Sequence, residues 1–554
     1  MKRIKIISLL LILSMASVIF FGCSNGNNKD VMDNNGNNAG ESNNSDKTTP
    51  SIIESTGDSI TYPLEGDNLT LTYWHSLRAP DYQSSHDDNI VWQAIEKNTG
   101  VDIKWIHPAT GTESEQLGLL IAGKDLPDIL QIDGNYDAAG GSAAGVDEGV
   151  FLDLTENIAK CAPDYLNVIT SSDLCYQMAT TPEGLITEFD QIKQTAPAYM
   201  RIALRKDIQD EIGWGDKMPV TMEDYTQLFK DMKKAGYYGY APASNGRDDQ
   251  FLFPYGIRGS FYLNEDGKVD YGMYNNGYKE YLKLMASWYK KDYIHPDFTG
   301  DIRRPAMFDT KEIGLLINPS DISYNNAKLA GYEIYIVNYP RLHEGQEMRF
   351  ESTTWDPVPA DGIRTVISRD CKDMDTAMKF LNYGYTKEGA KLFNWGIEGV
   401  SYTVDNNGKK IFTDETKGNG DMPSDPAQYI YKLHFGPKFA EPDVSCNPGT
   451  IGDPEALKLR LLYSDDKTVN SSGVIFATLT ADQSKARASI MKDINTYVDE
   501  MTLKFIFGEL DIDESWDEYI STLKSLNIEE AISITQEAVD TFNEKEIPTE
   551  WLAK

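Results

Sequence analysis

Cysteine is scarce in this chain, five among 554 residues, and what is scarce excludes several chemistries at the outset. Cys161, Cys175, Cys371 and Cys446 show no CxxC spacing and no adjacent histidine, so a zinc site is not expected. Cys161 and Cys175 could pair, but free, partly buried thiols are the default. Positive charge is in deficit as well: 52 Lys and Arg against 86 Asp and Glu give a net charge of −34. Nucleic acid and anionic lipid both need a basic face, so neither is expected as a partner, and most of the charge reads as solubility. Catalytic signatures are missing too, with no G-x-S-x-G, no H-E-x-x-H and no G-x-x-x-x-G-K-[ST]. The Gly-rich run from Gly140 to Gly145 lacks the lysine of a phosphate cradle and reads as a loop. A glycosidase would use paired carboxylates, but among 86 acidic residues some pair is unavoidable and argues nothing. Asn264-Glu265-Asp266-Gly267 and Asp405-Asn406-Asn407-Gly408 lack the alternating oxygen ligands and trailing Glu of a calcium loop, so each is expected to be a hairpin turn. No cofactor and no metal is called for.

Long hydrophobic runs are nearly absent. The one that stands out lies behind Lys2, Arg3 and Lys5, from Ile6 to Phe21, and ends at Gly22-Cys23. A spanning helix needs about 20 apolar residues with anchoring flanks; this run is shorter and meets polar Ser24 and Asn25 at once, so residues 1–22 are expected to be a removable secretory signal. Phe20-Phe21-Gly22-Cys23 resembles the bacterial lipobox, departing from it at Phe20, where an aliphatic residue is usual. That resemblance implies diacylation of Cys23, and two acyl chains anchor stably where one does not. Loss of residues 1–22 would take the net charge to −37. Residues 23–59 are mostly Asn, Gly, Ser, Asp and Thr, too poor in apolar surface to be expected to fold. They are expected to form a tether with a typical reach of roughly 30–35 Å.

What remains is an α/β pattern. Leu69–Trp74, Val101–Ile106 and Ile129–Ile132 read as strands, alternating with helices at Ile90–Asn98 and Glu115–Ala122, which signals a parallel sheet. A new unit begins near Pro197–Leu204, with a capped helix from Thr221 to about Ala235, a helix at Tyr278–Tyr289, and strands at Ile313–Ile317 and Ile334–Val337. A return crossing is expected near Thr353–Asp356, followed by a strand at Arg364–Ile367 and a helix at Met374–Tyr383. Ala481–Lys545 is largely amphipathic helix. The mature body is too long for one core, so the division expected is a first lobe over 60–200, a second over 201–350, a return of the first over 351–395, and the second lobe with C-terminal helices over 396–554.

The order and spacing of several short pieces resemble the extracellular solute-binding proteins of family 1, in the lipoprotein branch associated with complex carbohydrates. These pieces are Asn98–Val101, Ala122–Ile129, Phe151–Thr155 with Ala162-Pro163-Asp164, Leu204–Asp207 with Met218–Thr221, Phe380–Tyr383, Thr386–Gly389 and, most specific of all, Trp395-Gly396-Ile397-Glu398-Gly399-Val400-Ser401-Tyr402. The resemblance covers essentially the whole mature body. It implies two α/β lobes of the type II periplasmic-binding-protein kind, joined by crossing strands and closing on a ligand like a hinge. It further implies a non-enzymatic, monomeric substrate-binding lipoprotein of an ABC importer. Its partners would be an oligosaccharide or related carbohydrate, the permease subunits, and the membrane through Cys23 on the extracellular face. Some relatives carry a calcium loop after the helix corresponding to Met222–Ala235; here Lys234-Ala235-Gly236-Tyr237-Tyr238 runs on without it. A secreted glycoside-acting enzyme and a peptide or amino-acid receptor are the alternatives.

A sugar pocket needs aromatic plates for C–H faces and polar forks for hydroxyls, and ligands of open α/β sheets sit beyond the carboxyl ends of the strands. That places Trp74, His75 and Asp133 as candidates, although Asp133 could equally cap a loop. Trp355, beside the return crossing, and Trp395, Glu398 and Tyr402, in the specific motif, are candidates by resemblance, against interlobe packing. Arg201 at the first crossing, Asn245 and Arg247 in the turn Ser244–Arg247, and Asn318 after a second-lobe strand offer hydrogen-bonding groups suited to vicinal hydroxyls. For Arg247 a surface ion pair weighs equally. Trp105 and Trp288 read as core.

Overall fold

Residues 59–549 and Trp551 are described in this computed structural model, apart from residues 124, 134–140, 194–201, 301, 319–320, 338, 351–356, 419–420, 441–467 and 543–544. Cys23, Arg201 and Trp355 therefore lie outside the described residues. Among the described residues no helix is long and apolar enough to cross a membrane.

The alternating start of the chain builds β1 (Thr70–Trp74), α1 (Ile90–Thr99), β2 (Asp102–Ile106), α2 (Glu113–Ala122), β3 (Ile129–Asp133) and α3 (Gly141–Asp147). Helix α1 begins because the Asn89 side chain accepts from the amides of Val91 and Trp92, and it stops at Gly100 with φ +75°, the left-handed cap that glycine supplies without strain. Then follow β4 (Phe189–Lys193), β5 (Ile202–Arg205), α4 (Met222–Lys234), β6 (Tyr238–Tyr240), β7 (Phe261–Leu263), β8 (Val269–Tyr271), α5 (Asn276–Lys290), β9 (Ile313–Ile317) and β10 (Ile334–Val337). Thr221 and Asp224 form a reciprocal capping box on α4. The chain ends with β11 (Val358–Ile367), α6 (Met374–Asn382), α7 (Lys387–Trp395), β12 (Tyr402–Val404), β13 (Lys410–Phe412), α8 (Ser424–Ile430), β14 (Phe439–Ala440), α9 (Ala481–Phe507), α10 (Ile512–Ser525) and α11 (Ile528–Phe542).

Two sheets organise these elements, in the orders β14-β4-β11-β3-β1-β2 and β10-β5-β9-β6. Pairing is parallel for β1 with β2 and with β3, antiparallel for β11 with β3 and β4. Consecutive strands β4 and β5 belong to different sheets, as do β10 and β11, so the chain crosses between units after Lys193 and again after Val337. Each sheet has its own core. Leu71, Tyr73, Trp92, Ile103, Tyr165, Phe189, Met378 and Phe393 are buried in the first; Leu204, Phe229, Tyr240, Trp288, Leu315 and Ile336 in the second. This is the two-lobed α/β architecture expected. The turns at Asn264–Gly267 and Asp405–Gly408 join the antiparallel pairs β7/β8 and β12/β13, so both are hairpins. Cys161 and Cys175 are free and buried.

The last part of the chain differs from expectation. The sequence places residues 396–554 in the second lobe and the C-terminal helices, yet β14 pairs parallel to β4 at the edge of the first sheet and Leu433 lies in the first core. Helix α9 does join the second core, through Ile494, Val498, Phe505 and Ile506. Its N-terminal part reaches the first lobe, where Lys485 pairs with Glu148 at 2.6 Å. Beyond α11, Lys545 donates to the carbonyls of Gln177, Thr180 and Thr181 at 2.5, 2.9 and 3.1 Å, tying the C-terminus to the first lobe.

Candidate functional site

Strands β1, β2 and β3 run parallel, so the residues that follow their carboxyl ends gather on one edge of the first sheet. His75 follows β1, His107 follows β2, and Gln131 lies within β3. A shallow, solvent-open pocket is lined there by His75, Arg78, Gln83, His86, Trp92, Gln131, Tyr429, Leu433, His434 and Phe435, together with Ala79. The far wall comes from the last turn of α8 and the segment that follows it. Tyr429, His434 and Phe435 pack on one another with centroid separations of 4.5–6.0 Å, and all three remain half-buried. The exposed Arg78 guanidinium lies 5.4 Å above the Phe435 ring.

Hydrogen bonds hold that wall in place. The Asn89 side-chain amide donates to the Tyr429 carbonyl at 3.0 Å, the Leu433 amide to the Phe393 carbonyl at 3.0 Å, and the Gly436 amide to Gln191 Oε1 at 3.1 Å. On the floor, His86 Nε2 and His75 Nδ1 are 2.7 Å apart. His107 accepts from the His86 amide at 3.2 Å and contacts the His75 carbonyl at 2.8 Å. The rings bond one another and the backbone. Burial pushes His75 down to about 3, helped by the nearby His107 and Arg78, and carries His86 well below its ordinary value, so both rings are neutral at physiological pH. Three buried polar atoms of this floor, His75 Nε2, Trp92 Nε1 and Gln131 Oε1, have no hydrogen-bond partner among the described residues.

Of the residues singled out in the sequence, His75 lines this pocket. Trp74 does not, because the pleat turns successive side chains to opposite faces. It is 1% exposed and packs with Leu117, Leu130, Phe151 and Val366 on the other face of the sheet. Asp133 closes β3 opposite Ile363. Trp395, Tyr402 and Phe412 form a small cluster of their own. Trp395 is 4% exposed, its ring stacks on Phe412 at 4.7 Å, and the Lys410 ammonium lies 4.6 Å from its centroid. Tyr402 donates to Glu398 at 3.2 Å, and exposed Glu398 also meets Lys391 at 3.5 Å. The motif thus packs on itself and meets the chain next to the pocket wall at Tyr431. Gly396 lies so close to the Tyr431 carbonyl that a Cβ would come within 1.9 Å of it.

In the second lobe, Asn245 and Arg247 follow β6, and Asn318 follows β9, at the carboxyl ends of a parallel pair. Asn245 Oδ1 accepts from the Arg247 amide at 3.2 Å. The Arg247 guanidinium, largely buried, pairs with Asp499 of α9, so its ion pair is a link to the C-terminal helices rather than a surface contact. Exposed Asn318, with φ +49°, accepts from Gln250. Trp288 is core, its indole donating to Thr226 at 3.0 Å. Trp105 is only half-buried, stacked on Tyr73 and His107. Sequence reasoning missed Gln131 and the wall Tyr429–Phe435; the local signal available for the wall was aromatics clustered at the end of a short helix and just beyond it.

A two-lobed α/β body with an aromatic and amide-lined pocket beyond the strand ends defines a solute-binding protein. The family model described as bacterial extracellular solute-binding protein matches residues 91–397, more than half of the chain, and the chain belongs to that family. It is 23% identical over 532 residues to the fructooligosaccharide ABC transporter substrate-binding protein FusA of Streptococcus pneumoniae, covering 90% of this chain and 94% of that protein. Among solved structures, the alginate-binding protein AlgQ2 without calcium ion has a TM-score of 0.70 at 21% identity, over 86% of this chain and 99% of that one. FusA of S. pneumoniae in complex with kestose has a TM-score of 0.70 at 19% identity, over 86% and 100%.

Proposed function

We propose that this chain captures an oligosaccharide in the pocket beyond β1 and β3 and delivers it to the permease of an ABC importer. The observation that carries this reading is the pocket's chemistry. Half-buried aromatic faces at Tyr429, His434 and Phe435 oppose amide, imidazole and guanidinium groups at Gln83, Gln131, His75 and Arg78, the combination that C–H faces and hydroxyls require. The curated relative FusA is a fructooligosaccharide-binding protein of an ABC transporter, and AlgQ2 is an alginate-binding protein, which favours the same ligand class here. From the second lobe, the loops bearing Asn245 and Asn318 are the parts that would complete the cleft. The protein is read as a monomer held outside the cytoplasmic membrane by diacylated Cys23 on the 23–59 tether.

Among the described residues lining the pocket none is a carboxylate. Two-carboxylate glycoside hydrolysis has no acid and base among them, and a peptide's amino terminus has no counter-ion there. The test is a panel of fructo-oligosaccharides including kestose, alginate oligosaccharides and short peptides, followed by melting temperature and calorimetry, because a ligand bound only by the folded state raises the transition. Stabilisation by sugars alone, with the sugar recovered intact, is expected. Stabilisation by peptides, or hydrolysis products in the tubes, would overturn the reading.

A further inference from the structure

We propose that His75 Nε2–H and Gln131 Oε1 form a subsite that reads one hydroxyl of the bound sugar, with the donor end set by a hydrogen-bond relay that starts at the N-cap of α1. The inference rests on the carbohydrate reading above and deepens it.

Both side chains line the pocket and are 6% and 2% exposed, and the two atoms named have no hydrogen-bond partner among the described residues. Neutral imidazole carries a proton on one nitrogen only, and which one is decided by what the other nitrogen bonds. Here the decision is made three side chains away. Asn89 Oδ1 accepts from the amides of Val91 and Trp92 at 3.0 and 3.1 Å, which turns its NH₂ outward to donate to Gln83 Oε1 at 3.0 Å. With Gln83 Oε1 so engaged, Gln83 Nε2 faces His86 Nδ1 at 2.8 Å. An amide NH₂ has only protons to give, so His86 Nδ1 is bare and the His86 proton sits on Nε2. That proton points at His75 Nδ1, 2.7 Å away. The Ser76 carbonyl, 2.9 Å from His75 Nδ1, also bonds the His86 ring and shares the same proton. His75 Nδ1 therefore accepts, and the His75 proton is left on Nε2, in the pocket.

His107 does not disturb the relay. Its Nε2 accepts from the His86 amide, so its own proton is on Nδ1, directed to the His75 carbonyl. The Gln131 amide is close enough to favour a proton on the His75 ring, though the two atoms lack hydrogen-bond geometry. The floor thus presents one donor and one acceptor side by side, with Trp92 Nε1 as a further donor. A hydroxyl is the group that accepts from one and donates to the other at once. A carboxylate would meet Gln131 Oε1 with a second acceptor, an ammonium would meet Nε2–H with a second donor, and a deoxy carbon would leave both unpaired, costing each its desolvation. Sites built on such pairs reject the group-deleted analogue far more strongly than apolar pockets reject a missing methylene.

The test has one arm that needs no ligand. Long-range ¹⁵N–¹H correlation on the ¹⁵N-labelled protein at pH 7 should show His75 and His86 as neutral Nε2–H tautomers and His107 as Nδ1–H; Gln83→Met should mix the His86 and His75 tautomers. In the second arm kestose and an alginate oligosaccharide are titrated into wild type, His75→Phe and Gln131→Leu, with Gln131→Met, which keeps the length of the side chain and removes the amide, as the variant of record if the leucine destabilises the apo protein. Each apolar variant should lose about 10- to 100-fold in affinity for whichever of the two sugars binds, and that sugar should shift the His75 Nε2 resonance. An imidazolium or an Nδ1–H tautomer at His75 overturns the proposal even if sugars bind. So does unchanged affinity in both apolar variants. A wild type silent to both sugars, with the tautomers as assigned, instead overturns the carbohydrate reading and the occupant named here, while the relay itself stands.

Discussion

Two aromatic clusters flank the same stretch of chain, and they differ in what covers their rings. Trp395, Tyr402 and Phe412 close on one another: all three are buried, Phe412 stacks on Trp395, and Lys410 sits 4.6 Å from the Trp395 centroid. Tyr429, His434 and Phe435 meet only along part of their surfaces and stay half-buried around open space. The first cluster carries the chain's most recognisable motif, and the second carries none. Recognisability therefore follows the constraint of close packing, such as the Gly396 approach to Tyr431, while the capacity to hold a ligand follows uncovered ring faces with polar groups opposite.

The most severe way to break this comparison is to truncate the closed cluster. Trp395→Ala removes a ring stacked on Phe412 from a three-residue cluster, and a large-to-small change of that kind is expected to cost about 3–5 kcal/mol of unliganded stability, read by denaturant unfolding. Affinity for kestose or another panel sugar in the surviving folded fraction should stay as in wild type. A stable Trp395→Ala protein that has lost its sugar would return the motif to the ligand and dissolve the contrast.

The converse substitution sharpens it. Phe435→Ala deletes a half-buried wall ring, so the apo fold should lose no more than about 1 kcal/mol, whereas sugar affinity should fall by about 1–3 kcal/mol, the scale on which burying a large apolar side chain acts. Calorimetry and unfolding on the same preparation separate the two effects. If Phe435→Ala unfolds as readily as Trp395→Ala, the open cluster is core and the pocket has been misread.

Much of the fold was legible in the sequence, because strand and helix periodicities are local. Ile313–Ile317 and Ile334–Val337 form strands over the residues their apolar runs indicate, and α4 starts at its capping box and ends within a residue of its expected limit. The site was legible only in part. His75 could be placed by strand-end logic, but its neighbour Trp74 points to the opposite face, a distinction that depends on which face of the sheet receives α2 and α3. The pocket joins His75, Gln131 and Tyr429–Phe435, residues far apart in sequence, and no local pattern announces such a junction. Arg247 shows the same limit, since its partner Asp499 stands 252 residues away. The edge strand β14 is two residues long, too short to leave a periodic trace, and so the first lobe's hold on the 396–440 stretch went unseen.

The smallest expected effect concerns pH, and it separates the pocket floor's role in binding from its role in stability. Burial holds His75 down at about 3, with the nearby Arg78 guanidinium also disfavouring its proton, and holds His86 well below its ordinary value. A histidine whose folded pKa lies below its unfolded value of about 6.5 contributes stability that is fully present above that value and is lost as pH falls toward the folded value, because the unfolded chain takes up the proton first. Unfolding free energy should therefore decline as pH is lowered from about 6.5, and His75→Phe should flatten part of that decline. Affinity should behave differently. Between pH 6 and pH 8 the buried His75 and His86 rings stay neutral in the folded protein and the Arg78 guanidinium keeps its charge, so these three groups should change the dissociation constant for a neutral sugar such as kestose by less than about twofold over that range. Calorimetric titrations at pH 6, 6.5 and 8 in buffers of matched ionic strength provide the measurement. A dissociation constant that rises steeply below pH 6.5 would mean that His75 or His86 takes up a proton in the folded state, and the hydrogen-bonded floor with its neutral rings would have to be abandoned.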